Sequence, residues 1–171
     1  MAQQIKPKLI VFDLDYTLWP FWVDSHFSPP FNKNKDGKVY DRSQRLVNYY
    51  SDVPGMLHQL HNGGYTLGIA SRSSTPPEAN KLVELFNWDK YFKYKEIYPG
   101  TKLNHFQQFQ RKSGIPYVDM LFFDDEERNI VDVGTLGVTC ILVSDGISNA
   151  VLTEGLHKFQ MNNTSRPTNK I

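Results

Sequence analysis

Three short apolar segments of this chain each end abruptly at a polar side chain. In chain order, the segments and the residues that follow them are Leu9–Phe12 with Asp13, Thr66–Ala70 with Ser71, and Met120–Phe123 with Asp124. The segments are apolar throughout instead of at every second position, which is typical of strands buried on both faces. Helix-like stretches alternate with them along the chain. The sequence therefore predicts an α/β fold with a mainly parallel sheet covered by helices on both faces.

The remaining elements are predicted from apolar spacing and from glycine and proline positions. Helices are expected around 57–60, at 76–86, 103–113, 128–136 and 152–159, and further strands at 95–98 and 138–143.

The stretch from 19 to 50 departs from this alternation, because it contains three prolines and a Lys-Asn-Lys-Asp-Gly turn at 33–37. We expect it to form a short flap over one edge of the sheet, since it is too short to be a separate domain. The length of 171 residues fits one domain over 1–171. The polar end, 161–171, is expected to be frayed.

Composition excludes several classes of protein. The formal net charge of +1 gives no general electrostatic reason to bind nucleic acid or a membrane surface. No apolar run approaches the roughly 20 residues that cross a bilayer, and no apolar stretch typical of a secretory signal follows the basic start. The single cysteine, Cys140, suits a reducing compartment. We expect a cytoplasmic protein, by default a monomer.

Polar residues at the strand ends would converge in a parallel sheet, because ligands bind at the carboxyl ends of its strands. The convergent residues are four carboxylates, a hydroxyl and a guanidinium: Asp13, Asp15, Asp124, Asp125, Ser71 and Arg72. Four clustered carboxylates repel one another and need a cation. Oxygen ligands without histidine or cysteine favour a hard ion, so the sequence predicts a Mg2+ site.

Four separated motifs resemble those of the haloacid-dehalogenase (HAD) superfamily, in the same order. Asp13-Leu-Asp-Tyr-Thr17 resembles its DxDxT motif, Ser71 its second-motif hydroxyl, Lys102 its third-motif lysine and Phe122-Phe-Asp-Asp125 its acidic pair. The segments DLDYTLWPFWVD, IASRSS, EIYPGTK and FFDDEERNI resemble the magnesium-dependent phosphatase 1 family more closely. The resemblance implies a three-layer Rossmann-like fold with a flap after the first strand and no full cap domain.

The resemblance also implies catalytic roles. Asp13 would be the nucleophile that becomes an aspartyl phosphate. Asp15 would be the general acid for the leaving alkoxide and then the base that activates water. Ser71 would hydrogen-bond the transferring phosphoryl group, and Lys102 would hold Asp13 and the phosphate.

Metal and substrate ligands follow from the same resemblance. The implied Mg2+ ligands are Asp13, the backbone carbonyl of Asp15, Asp125 directly, and Asp124 through water or as an orienting group. The implied substrate and phosphate ligands are Leu14, Ser71, Arg72 and Lys102.

Charge balance supports these assignments, because a carboxylate attacks a phosphate dianion only when its charge is cancelled. With Asp15 protonated, Mg2+ and Lys102 balance the three other carboxylates. Arg72 then leaves one positive charge facing the phosphate.

Structural roles compete with several of these assignments. Arg72 could pair with Glu78, and Asp124-Asp125 could cap the following helix as well as bind metal. A lysine in the first helical turn is usually exposed, and four others compete with Lys102: Lys81, Lys90, Lys93 and Lys95. The five histidines lack ligand spacing and are interpreted as structural. Three early aromatics could pack in the flap or contact substrate: Trp19, Phe21 and Trp22.

The leading hypothesis is a Mg2+-dependent phosphomonoesterase acting on a phosphorylated small molecule or phosphoprotein. A receiver-type phosphoacceptor module would place its acidic pair first and its lysine last, unlike this chain. A phosphotransferase usually has a cap that excludes water, and neither the 57 residues between Asp13 and Ser71 nor the 30 between Ser71 and Lys102 fit one. The resemblance implies phosphotyrosine-protein, sugar-phosphate or ketosamine-phosphate substrates, without choosing among them.

Overall fold

The computed structural model describes residues 4–166. Its strands are β1 (Leu9–Phe12), β2 (Asn32–Lys33), β3 (Val39–Tyr40), β4 (Leu46–Val47), β5 (Leu67–Ser71), β6 (Phe92–Ile97), β7 (Met120–Asp124) and β8 (Thr139–Leu142). Its α-helices are α1 (Val53–Asn62), α2 (Pro76–Leu85), α3 (Lys102–Ser113), α4 (Glu127–Gly134) and α5 (Asn149–Asn163).

Five parallel strands form the main sheet in the order β6-β5-β1-β7-β8. β1 lies at the centre between β5 and β7, and all four of its residues are buried. Ile10 and Phe12 belong to one apolar cluster, whereas Leu9 and Val11 belong to the other. Successive side chains of a strand point to opposite faces, so a sheet covered on both faces needs an apolar residue at every position. The α/β prediction is confirmed.

Helix α3 has a signal at each end that fixes its position on the chain. The Thr101 hydroxyl accepts a hydrogen bond from the Leu103 N–H at 3.3 Å, which is a typical N-cap interaction. Gly114 ends the helix in the left-handed conformation, with φ of 72°. The helix therefore starts at Lys102, directly after the loop that leaves the edge strand β6.

The flap contains a second, antiparallel sheet with strand order β2-β3-β4. Its hairpin closes around the Asp41 carboxylate, which is 1% exposed and accepts hydrogen bonds from the N–H groups of Ser28, Ser43 and Arg45 and from the Arg45 guanidinium. Burial raises the pKa of Asp41, but these hydrogen bonds outweigh it and keep the pKa below its usual value. These hydrogen bonds stabilise the turn locally, while the buried side chains of Phe31, Val39 and Val47 pack into the main apolar cluster.

The base of the flap is anchored in the main core. Trp19 and Phe21 are buried, and Trp19 stacks on Trp88, which lies shortly before the edge strand β6. Trp22, in contrast, is 53% exposed. The expected flap over one edge of the sheet is therefore present, with its first aromatic residues serving as packing.

The last helix is longer than the sequence predicted. α5 extends to Asn163, so the expectation of a frayed end is wrong for residues 161–163. Phe159 and Asn163 are buried, and the Asn163 amide donates to the Phe159 carbonyl at 2.8 Å, which stabilises this last turn. Residues 164–166 form a turn in which Arg166 donates a hydrogen bond to Asp119 at 2.6 Å, and the rest of that expectation, from 167 onward, lies outside the described residues. Within the described part of the chain, no helix combines the length and the apolar character needed to cross a membrane.

Helix α5 packs very closely on the sheet at Gly155. A methyl group added there would lie 2.4 Å from Cζ of Phe123 and 3.3 Å from Cγ1 of Ile141. The Phe123 ring is buried and stacks on Phe12 at a centroid distance of 5.4 Å, so it has little room to move. Only glycine fits between this helix and strand β7.

We expect Gly155→Ala to lower the free energy of unfolding by about 1–3 kcal/mol, because the added methyl group overpacks a closed contact. Gly55→Ala is the matched control, since Gly55 also lies in a helix but a methyl group there would meet nothing within 4 Å. The control should be neutral or gain up to about 1 kcal/mol. Urea unfolding of both variants measures this, and a Gly155→Ala protein as stable as the wild type would contradict the packing argument.

Candidate active site

Asp13 follows the central strand β1 and lies at the carboxyl edge of the main sheet. Its Oδ1 accepts a hydrogen bond from Lys102 Nζ at 2.8 Å, and its Oδ2 accepts one from the Thr17 hydroxyl at 3.1 Å. Burial raises the pKa of Asp13 well above its usual value, and the neighbouring Asp124 raises it further against the effect of Lys102. The ionised carboxylate therefore needs more positive charge than Lys102 alone supplies.

Lys102 is the third-motif lysine expected from the sequence, and the structure places it beside Asp13. Its side chain is 1% exposed, and Nζ also donates to Asp124 Oδ2 at 2.5 Å. Burial lowers the pKa of Lys102, but the two carboxylates outweigh this and raise it, so the group stays an ammonium. The four competing lysines are all exposed: Lys81, Lys90, Lys93 and Lys95.

The acidic pair after β7 divides into a buried and a cleft-facing carboxylate. Asp124 is fully buried, and in addition to Lys102 it accepts hydrogen bonds from the Glu126 N–H at 2.9 Å and the Asn129 amide at 3.0 Å. Asp125 is only partly buried and lines the cleft. Burial raises its pKa. Of the two, Asp125 is thus the one available to a ligand in the cleft.

Oxygen atoms of Asp13, Asp124 and Asp125 lie within 4.8 Å of one another. Crowded carboxylates with raised pKa values at Asp13 and Asp125 are stabilised by a bound cation. A donor set made only of carboxylate oxygens suits Mg2+. The residues present therefore fit the predicted magnesium ion.

Asp15 is held apart from this group by a tight turn. Strand β1 ends at Phe12, and the positive φ of 57° at Tyr16 turns the chain sharply just after Asp15. Asp15 Oδ1 accepts hydrogen bonds from the indole Nε1 of Trp19 at 2.7 Å and from the Val23 N–H at 3.2 Å. Burial raises the pKa of Asp15 to about 6. The two carboxylates of the first motif thus lie in different environments, as separate catalytic roles require.

Of the other predicted phosphate ligands, Ser71 and Arg72 lie at the same edge of the sheet, whereas Leu14 is buried. Ser71 and Arg72 line the cleft, and Arg72 Nη1 lies 3.5 Å from Asn129 Oδ1. Leu14 is fully buried in the apolar core. Leu14 is not among the residues that line the cleft, so its contact with phosphate stays a prediction.

The cleft above Asp13 has a volume of about 450 Å³. It is lined by Asp13, Asp15, Trp22, Asp24, Ser25, Ser71, Arg72, Ser73, Lys102, Asp125, Glu126 and Asn129. Sequence reasoning did not single out Asn129, although its place in the fourth motif, one helical turn after Asp125, was a usable signal. The flap residue Asp24 ends the first quoted segment, which was a similar signal, whereas Ser25 lies just beyond that segment and carried none.

His105 is buried and has a structural role, as its lack of ligand spacing indicated. Its Nε2 lies 2.9 Å from the carbonyl oxygens of both Ser71 and Tyr98, and its Nδ1 lies 3.1 Å from that of Thr101. The side chain therefore connects the end of β5 to the first turn of α3, which carries Lys102.

Comparisons with known proteins find relatives that match nearly the whole described chain. The acid phosphatase family profile matches residues 5–162. The chain is 54% identical over 153 residues to human magnesium-dependent phosphatase 1, covering 90% of this chain and 87% of that protein. It is 42% identical to a HAD-like hydrolase superfamily protein of Schizosaccharomyces pombe, over 78% of this chain and 83% of that one.

Solved structures with low sequence identity share the fold. A putative phosphatase from Clostridium difficile superposes with a TM-score of 0.62 at 16% identity, over 88% of this chain and 91% of that one. The profile match and the relatives of high identity establish that the chain belongs to the acid phosphatase family of the HAD superfamily, together with the magnesium-dependent phosphatases.

Proposed function

We propose that this protein is a Mg2+-dependent phosphomonoesterase that works through an aspartyl-phosphate intermediate. The observation that supports it most directly is the position of Asp13, a buried carboxylate at the base of an open cleft, hydrogen-bonded to Lys102 and Thr17. Its relatives named as magnesium-dependent phosphatases support the same reaction class.

Asp13 attacks the phosphorus atom, forming an O–P bond as the bond to the leaving alcohol oxygen breaks. Lys102 keeps a positive charge against the Asp13 carboxylate during this step, which reduces repulsion of the phosphate dianion. Ser71 and Arg72 face the same cleft and hydrogen-bond the phosphoryl oxygens.

The Mg2+ ion would be held by Asp13, Asp125 and the Asp15 backbone carbonyl, with Asp124 orienting the group. When bound, it supplies positive charge that neutralises the phosphate and the clustered carboxylates. The buried hydrogen bonds of Asp124 to Lys102 and Asn129 suit an orienting role better than direct ligation.

Asp15 donates its proton to the leaving alkoxide and then takes a proton from the water that hydrolyses the aspartyl phosphate. A pKa of about 6 suits both steps near neutral pH. Water reaches the intermediate because the flap leaves the cleft open, which favours hydrolysis over transfer to a second substrate.

For the substrate, we propose a phosphate ester whose alcohol carries a ring: a phosphotyrosine side chain on a protein, or a sugar or ketosamine phosphate. Trp22 is 53% exposed and lines the cleft, and its ring packs against Tyr16 and His26. This fixed aromatic surface suits the face of a phenyl or sugar ring. The open cleft also admits substrates attached to a protein.

Asp13→Asn should lower phosphatase activity by about a thousandfold or more, because an amide cannot form the phosphoryl ester. Beryllium fluoride, which mimics the phosphoryl group, should bind to the Asp13 carboxylate of the wild type. Asp145→Asn, at an exposed site, is the control and should stay fully active. A mimic bound to a different side chain would move the nucleophile elsewhere.

Removal of divalent cations with EDTA should stop hydrolysis, and added Mg2+ should restore it. Ca2+ should restore it poorly, because its looser and larger coordination shell fits in-line transfer less well. Phosphate release from one substrate, with each cation at matched concentration, measures this. Full activity in EDTA would refute the role of the metal.

A panel of phosphate esters should separate the proposed substrates. Phosphotyrosine peptides, free sugar phosphates and ketosamine phosphates on a protein are compared by kcat/KM, and at least one class should exceed simple alkyl phosphates by tenfold or more, since ring contacts add transition-state binding. Trp22→Ala should reduce that preference. Equal, slow rates on all esters would contradict a dedicated substrate.

A further inference from the structure

The Asp15 side chain is oriented by two N–H donors that both reach the same oxygen atom. The Trp19 indole Nε1 lies 2.7 Å from Oδ1, and the Val23 backbone nitrogen lies 3.2 Å from the same atom. We infer that Trp19 is a positioning residue for proton transfer, because its indole N–H fixes which oxygen of Asp15 carries the proton. This inference rests on the proposed role of Asp15 as general acid.

The indole ring of Trp19 is itself fixed in place. Trp19 is fully buried, and its ring lies nearly parallel to those of Phe21, at 5.3 Å and 3°, and Trp88, at 6.2 Å and 16°. A ring packed in this way cannot rotate without displacing its neighbours. The direction of its N–H is therefore set by the core.

Backbone hydrogen bonds between Asp15 and Trp19 also hold their two side chains next to each other. The Tyr16 N–H donates to the Trp19 carbonyl at 2.7 Å, and the N–H groups of Thr17 and Leu18 donate to the Leu14 carbonyl at 3.0 and 2.9 Å. This turn brings the indole back over the Asp15 carboxylate four residues earlier. The hydrogen bond is thus part of the local fold of the first motif.

The two hydrogen bonds to Oδ1 determine which oxygen of Asp15 carries the proton. Because Oδ1 accepts two N–H hydrogen bonds, the proton of the carboxylic acid resides on Oδ2. Asp15 lines the cleft, and because Oδ1 is bound by Trp19 and Val23, we assign Oδ2 as the oxygen that serves the leaving group. The same arrangement leaves the Oδ2 lone pair free to accept a proton from water in the second step.

Trp19→Phe tests this inference, because it removes the N–H and keeps an aromatic ring in the core. We expect kcat/KM to fall about tenfold for an alkyl phosphate, whose alkoxide needs a proton to leave, and less than twofold for 4-nitrophenyl phosphate, whose phenolate does not. The ratio kcat/KM reports the steps up to departure of the alcohol. A purely structural effect would lower both values equally.

Trp88→Phe is the matched control, because the two tryptophans belong to the same aromatic stack. Trp88 is 1% exposed, and its Nε1 has no hydrogen-bond partner among the described residues. The control therefore loses a similar volume from the same cluster without touching Asp15. We expect it to change both substrates by the same factor, and a Trp88→Phe protein as selective as Trp19→Phe would overturn the inference.

Two further variants complete the test. Asp15→Asn should show the largest difference in kcat/KM loss between the two substrates. If Asp15→Asn shows no such difference, the role of Asp15 as general acid is refuted. If it does, but Trp19→Phe lowers kcat/KM equally for both substrates, only the positioning role of Trp19 is refuted. If Trp19→Phe does not fold, benzothienylalanine at position 19 replaces the N–H by sulfur and retains the bicyclic ring. Its kcat/KM values should show the same selective loss for the alkyl phosphate, and equal values for both substrates relative to wild type would overturn the inference.

Discussion

The ammonium group of Lys102, buried between two carboxylates, is the interaction on which the arrangement of the site depends. It joins Asp13 at the end of β1 to Asp124 at the end of β7 through contacts of 2.8 and 2.5 Å. Removing one partner of such a buried group leaves an uncompensated charge, which costs about 3–5 kcal/mol. The interaction therefore holds two neighbouring strand ends and the first turn of α3 in one fixed geometry.

The surrounding fold brings this ammonium and its two carboxylate partners together through strand pairing and the start of a helix. Asp13 and Asp124 are adjacent because β1 and β7 pair in parallel, with Phe12 opposite Phe123. Lys102 is in reach because the Thr101 cap starts α3 at that residue. His105 then connects the same helix to β5. The hydrogen bonds of the site thus depend directly on where these strands end and where α3 begins.

Sequence reasoning located the residues whose position follows from strand order. Asp13, Ser71 and Asp124 each end an apolar run, and parallel pairing alone brings them to one edge of the sheet. Lys102 was identified only by its motif, because a lysine at a helix start is usually exposed and no pattern of spacing predicts its burial. The catalytic roles assigned to these residues stay predictions.

Contacts that depend on three-dimensional packing were beyond the reach of the sequence. The hydrogen bond from Trp19 to Asp15 requires the positive φ of Tyr16, which no residue preference predicts, since tyrosine rarely adopts it. No local pattern predicts the helical end at 161–163, because this turn depends on the burial of Phe159 and Asn163. In both cases, tertiary packing overrides the local pattern.

The flap consists of two parts, each held by its own hydrogen bonds. Its first residues, Trp19 to Val23, are tied to the proton donor and to the core, whereas the hairpin beyond them closes on its own buried carboxylate, Asp41. The side chains of the flap that line the cleft, Trp22, Asp24 and Ser25, make none of these hydrogen bonds, so changes among them can alter which molecules are admitted without disturbing the proton donor. Such a division lets selectivity diverge among descendants of one ancestor while the reaction itself is inherited intact.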